Sequence, residues 1–232
     1  VAKYSLLGIN GDAKTSKGSA YGYLTGILYL APANESGWEV CPSRSEGCTS
    51  ACLFTAGRGA FSNVKDARIR KTQLLFKNRP EFLRQLRNDI AALVKEANAK
   101  NMKPCVRLNG TSDLGWEGLA REIITEFPNV QFYDYTKVLT RMLRYCEGKL
   151  PENYHLTFSR SESNWDECQM VLAKGGNVAA VFYKQLPEHY SGYDVVDGDL
   201  SDLRFLDSKN TIVGLKAKGK AKHDDSGFVI FA

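Results

Sequence analysis

Val130-Gln-Phe-Tyr-Asp-Tyr135 and, further along, Tyr154-His-Leu-Thr-Phe-Ser159 are short runs of aromatic and aliphatic residues, each followed by a stretch with helical spacing. The same pairing recurs along the chain. Cys105-Val-Arg-Leu-Asn109 precedes a helix from about Trp116 to Phe127, the first quoted run precedes one at about 137–147, and the second precedes one at about 163–173. Asn177-Val-Ala-Ala-Val-Phe182 and Thr211-Ile-Val-Gly-Leu-Lys216 complete the series, and Tyr23 to Pro32 opens it. Strands that alternate with helices pair in parallel through crossovers. Six such strands are too few for an eight-stranded barrel, so the pattern predicts a six-stranded (β/α)6 partial barrel of the TIM type. Two further helices are expected at 62–77 and 80–99, separated by Asn78-Arg79-Pro80.

The whole chain, 1–232, reads as one α/β barrel domain, with a polar, irregular lead-in at 1–22 and a basic C-terminal extension at 216–232. The net charge of +5 is mild, and much of the excess lies in the lysines between Lys216 and His223. That permits weak contact with nucleic acid or an anionic cofactor without demanding it. No run is apolar enough to span a membrane, and no secretory signal is visible. The expected compartment is therefore a reducing cytoplasm, where clustered cysteines more often bind metal or catalyse than form disulfides.

Three of the six cysteines cluster as Cys41-x6-Cys48-x3-Cys52, just after the first strand. Clustered thiolates suit zinc, copper(I) or an iron–sulfur cluster. Three ligands would leave one iron of a 4Fe–4S cluster open, whereas structural zinc prefers four protein ligands. Cys105, Cys146 and Cys168 are scattered and read as packed thiols. Polar residues follow the strands at Asn109-Gly110-Thr111-Ser112-Asp113, at Asp134 to Lys137 and at Ser159-Arg160-Ser161-Glu162. A barrel gathers such strand ends on one face, where its active site lies. Asp134 and Lys137 are candidates for proton transfer, against the alternative of a salt bridge or a cap. Arg58, in the glycine-rich segment Thr55 to Phe61, can pair with a carboxylate, or the segment is a plain turn. Asp197-Gly198-Asp199 with Asp202 reads as an acidic turn, since it lacks the full calcium-loop spacing.

Three cysteines after the first strand of a partial barrel resemble the radical S-adenosylmethionine (SAM) superfamily, whose usual spacing is C-x3-C-x2-C. That resemblance implies a 4Fe–4S cluster on Cys41, Cys48 and Cys52, and SAM as second cofactor. Asn109, Gly110, Thr111 and Asp113 would occupy the place that holds the SAM amino group, and Ser159 and Arg160 the place near its ribose or carboxylate. It further implies radical chemistry on an unknown substrate, with an electron donor such as flavodoxin or ferredoxin. The segments TGILYLAPANESG, CPSRSEGCTSACLFTAGRG, RLNGTSD and FYDYTK resemble the gene product 88-like family, which implies a bacteriophage origin and action in the host cytoplasm. Two other readings stay open. One is a zinc- or cluster-stabilised protein that binds nucleic acid or a host protein without catalysis. The other is a metal-dependent barrel hydrolase or nuclease using Asp134, Asp197 and Asp199.

Overall fold

The computed structural model describes residues 5–9, 17–52, 54 and 57–231, with Arg58 described by its backbone alone. Ten strands form one mixed sheet: β1 (Leu7–Ile9), β2 (Tyr23–Leu28), β3 (Lys103–Arg107), β4 (Gln131–Thr136), β5 (Tyr154–Ser159), β6 (Val178–Phe182), β7 (His189–Tyr190), β8 (Tyr193–Asp197), β9 (Ile212–Lys216) and β10 (Val229–Ile230). The six expected strands are β2, β3, β4, β5, β6 and β9, and they lie side by side and parallel in that order. They do not form a barrel. The sheet runs open from β1 to β7. β1 pairs antiparallel on the free edge of β2, with Leu7 opposite Leu28, and β8 lies on the far edge of β9. Both edges that closure would have joined are already taken.

Residues 1–22 are therefore not wholly an irregular lead-in, since they contribute β1. The basic extension likewise returns to the sheet, where β10 pairs with the end of β6, Val229 with Val181. β5 pairs only with the start of β6, through Phe158 and Ser159, so β10 enters where β5 and β6 part. The Asp197 region expected to be irregular ends strand β8.

Seven helices are described: α1 (Glu46–Ser50), α2 (Ser62–Lys77), α3 (Arg79–Ala99), α4 (Trp116–Leu119), α5 (Arg121–Glu126), α6 (Leu139–Cys146) and α7 (Trp165–Ala173). α3 shows how sequence places them. Its buried residues Phe82, Leu86, Ile90, Leu93 and Ala97 recur every three or four positions, which makes one apolar stripe. Asn78 caps it by accepting the Glu81 N–H, and Pro80 sits in its first turn, where a missing N–H costs nothing. The helix expected at Trp116–Phe127 is broken at Ala120, whose backbone leaves the helical region.

The strands alternate their side chains between two different faces. Leu24, Leu28, Val106, Phe132, Leu156 and Phe158 join the helices in the main apolar core. The opposite face carries Thr25, Cys105, Arg107, Tyr133 and Tyr135, and the β8–β9 connection lays Asp202, Leu203 and Phe205 across it.

Candidate functional site

At the carboxyl ends of β3–β5, on the helix face, lies a buried polar network in which Arg141 uses every donor. Arg141 of α6 donates from Nε and Nη2 to the two Glu117 carboxylate oxygens at 2.9 Å, and from Nη1 to Asp113 Oδ1 at 2.7 Å. Its remaining contacts go to Thr136 Oγ1 and the Tyr154 hydroxyl, each at 3.3 Å. Tyr154 in turn donates to Asp134 Oδ2 at 2.7 Å, and Asp134 Oδ1 accepts the Asn109 backbone N–H at 2.6 Å. Asn109 Oδ1 collects Ser112 Oγ, the Leu114 N–H and Trp116 Nε1. Asp134 is fully buried, and burial pushes its carboxyl up to about 7 against the hydrogen bonds from Tyr154 and Asn109.

These partners show what the sequence-predicted residues do here. Asp134 and Asn109 tie β3, β4 and β5 together. Asp113 also accepts the Lys137 backbone N–H at 2.7 Å, so it joins the β3 and β4 loops. Gly110 passes so close to β2 that a Cβ there would meet Leu28 O and Tyr29 Cδ1 at 2.7 Å. Thr111 donates to Leu30 O at 2.5 Å. Ser159 ends β5, and its carbonyl accepts from Asn164 at 3.1 Å. Arg160 donates to the Gly227 and Phe228 carbonyls and so staples the segment entering β10. The Lys137 ammonium lies 5.7 Å from the Phe228 ring. The Arg58 side chain falls outside the described residues, as do Thr55 and Ala56.

The cysteine loop forms the rim above β2. Ser45 caps α1 by accepting the Cys48 N–H at 3.1 Å. Glu162, from the loop after β5, holds that helix through Ser45 Oγ at 2.7 Å and the Gly47 N–H at 2.8 Å. Gly47 has no room for a Cβ, which would sit 2.4 Å from Ser226 Oγ and 2.6 Å from Phe228 Cβ. Cys41 Sγ accepts the Ala33 N–H at 3.4 Å and lies 3.8 Å from Thr111 O. Burial raises the Cys41 thiol to about 11 and raises Cys52 as well, although the Ala33 and Phe54 backbone N–H groups oppose it. Both are therefore protonated at neutral pH, whereas the thiolate is the metal ligand and nucleophile. All six cysteines are free.

Near the carboxyl ends of the sheet, two arginines stack on tyrosines. The Arg68 guanidinium lies 4.9 Å from the Tyr29 ring and 5.3 Å from the Phe54 ring. The Arg107 guanidinium lies 4.7 Å from the Tyr135 ring, and its Nη1 meets both Asp202 oxygens, at 2.9 and 3.2 Å. Tyr133 donates to the same carboxylate at 3.1 Å. Burial pushes the Arg68 guanidinium below its ordinary value, with Tyr29 and Cys52 opposing. Arg68 Nε and Nη1 and Arg107 Nε are buried without hydrogen-bond partners among the described residues.

The sequence matches the family profile described as Gene product 88 over residues 5–232. The chain belongs to the gene product 88 family. The match supports the bacteriophage family named from the sequence and says nothing of radical SAM enzymes. No curated protein and no solved structure gives a significant match.

For this gene product 88 protein the iron–sulfur, radical SAM reading is overturned. Among the described residues, no group of three or more His, Cys, Asp or Glu side chains is placed to hold a metal ion. Cys41, Cys48 and Cys52 come within electrostatic reach of one another, but they do not converge as a ligand set. Among the described residues, the same finding gives the zinc-stabilised alternative and the metal-dependent hydrolase no ligand set. Asp134 is buried on the helix face, Asp197 accepts the Asp199 N–H at 2.8 Å, and Asp199 pairs with Lys218 at 2.7 Å. Asp202, the third acid of that turn, is the Arg107 partner. Ser112 and Asp113 cap no helix of their own loop, since α4 starts from Gly115 without a side-chain cap. Nor does Ser161 or Ser163 cap α7, which follows Asn164.

Sequence reasoning missed Arg68, Arg107 and Tyr29. Arg107 carried a signal, since a charged residue inside a buried strand needs a partner. Arg68 carried none, because α2 contains several basic residues and only the fold shows which one turns toward Tyr29.

Proposed function

We propose that this gene product 88 protein binds a phosphate-bearing small ligand at the carboxyl ends of β2–β4, between Arg68 and Arg107. The carrying observation is the set of shielded guanidinium N–H groups that meet no acceptor among the described residues. A buried donor left unpaired costs about 1–3 kcal/mol, and more when charged, so a fold that keeps two such groups at one sheet edge favours an anion there. Arg68 makes no ion pair among the described residues, whereas Arg107 is partly neutralised by Asp202. Open parallel sheets bind ligands outside the carboxyl ends of their strands. Tyr29 and Tyr135 add flat surfaces beside both charges. The protonated thiols support binding over thiol chemistry. The six free cysteines go with action inside the reducing host cell.

Titration calorimetry with pyrophosphate and with ADP tests the proposal. Saturable binding is expected, weakened at least tenfold in Arg68→Gln and retained in part in Arg68→Lys, since charge-assisted bonds of this kind contribute about 1.5–3 kcal/mol. Absence of heat with either anion, or equal affinity in Arg68→Gln, would overturn it.

A further inference from the structure

We propose that the rim formed by the ends of β6 and β9 and by the C-terminal segment is a docking surface for single-stranded nucleic acid. This surface rests on observations separate from the arginine pair. Lys216, Lys218, Lys220, Lys222 and His223 are all exposed, and no acidic residue interrupts them. The segment is not a loose tail. Ala217 and Ala221 are buried, and they pack with Val229 of β10 and with Ala51 beside the cysteine helix. Small anchors on one side thus present lysines on the other. Lys218 is paired with Asp199, while Lys220 and Lys222 make no ion pair among the described residues. Asp224, the next acid, is occupied by Ser226 and the Val229 N–H.

An aromatic pair adjoins the lysines, placed by backbone register. Phe182 is in register with Lys216 on β9, and the Tyr183 N–H donates to Ile230 O on the β10 side at 2.9 Å. Tyr183 therefore stands between the lysine strand and the chain end. The Tyr183 and Phe231 ring centroids are 4.8 Å apart, and Phe231 is 64% exposed. The Lys184 ammonium lies 5.0 Å from the Tyr183 ring, and Lys184 and Lys216 line a surface depression together with Glu188 and Asp197, so the cationic stretch proper is Lys218 to Lys222. An exposed ring, Phe231, backed by the half-buried Tyr183 and flanked by cations matches what unpaired bases and their phosphates need: stacking on the ring and charge neutralisation along the backbone. A duplex offers the charge but not the free base faces, which is why the occupant assigned here is single-stranded.

Fluorescence anisotropy with a labelled oligothymidylate tests this on the whole chain. Binding is expected to fall with salt, with a slope in log affinity against log salt of roughly 0.7 per phosphate contacted. The double variant Lys220→Gln, Lys222→Gln should weaken binding and flatten that slope by roughly 1.4. Phe231→Ala should lose roughly tenfold or more in affinity while leaving the slope unchanged, because it removes stacking alone. All three side chains are exposed, so unchanged thermal melting is expected in both variants. Arg68→Gln should bind the oligonucleotide like the parent, which separates this surface from the small-ligand site. The inference is overturned if the oligonucleotide does not bind, if both variants bind as tightly as the parent, or if duplex of the same length competes equally well. Capture by anionic vesicles without oligonucleotide binding would also overturn it and assign the lysines to a lipid surface.

Discussion

Arg141 and Arg107 are both largely buried arginines at the carboxyl ends of the sheet, on opposite faces, and they end in different ways. Every donor of Arg141 has an acceptor, and its partners lead on to Asp134, Asn109 and Trp116. Arg107 spends one nitrogen on Asp202 and keeps a shielded Nε without a partner among the described residues, as Arg68 does with its Nε and Nη1. A fully paired network fixes geometry and has nothing left to give a ligand. An incompletely paired one has capacity for a ligand. The residues that look catalytic in sequence, Asp134 above all, belong to the first kind.

The sharpest way to break this comparison is to remove Arg141. Arg141→Met strands Glu117 and Asp113, both well shielded, and should cost about 3–5 kcal/mol, read as a shift in the urea midpoint. A loss under about 1 kcal/mol would mean that the network is not the scaffold described.

The pH dependence sharpens the contrast between faces. The folded Asp134 carboxyl holds its proton to about 7, well above the usual value of 3.8. Its contribution is complete below the unfolded pKa and is lost as pH rises toward 7. His155, in register with Tyr133, has the opposite sign: burial, helped by Arg204, lowers it to about 4. Its contribution is complete near neutrality and is lost as pH falls from 6.5 toward 4. Each slope is at most about 1.4 kcal/mol per pH unit. Asp134→Asn should remove the loss on the neutral side, and His155→Gln the loss on the acid side, in denaturation midpoints followed across pH.

The smallest effect is expected at Arg68. Arg68→Met gives up cation–π contact with Tyr29 and Phe54 but relieves a desolvated charge with unpaired donors, so stability should change by less than about 1 kcal/mol. A loss as large as that of Arg141→Met would show that Arg68 is structural and would remove the contrast.

The strand order was readable because each parallel strand carries its own local signal, an apolar run followed by a helical period. Barrel closure was not readable, because it depends on what occupies the two outer edges. The strands that do so are β1, with three residues, and the β7–β8 hairpin, with a two-residue strand. β10, also two residues long, was equally silent. Such elements are specified by pairing partners distant in sequence, not by their own pattern. β2 shows the same limit. The expected strand to Pro32 stops at Leu28, since Ala31 is held by the Thr72 hydroxyl and Leu30 O by Thr111.

The sequence by itself determined the six parallel strands, the stripe of α3 and the presence of polar residues after every strand, because these follow from local periodicity and turn chemistry. Only the tertiary structure decided which polar residues are paired. Whether Asp134 is free to act, or Arg68 finds an acceptor among the described residues, depends on groups contributed by other strands and helices. Pairing of buried charge is a property of the assembled faces, so the cysteine spacing suggested a metal that the folded loop does not gather, and the arginines became visible only once the sheet was in place.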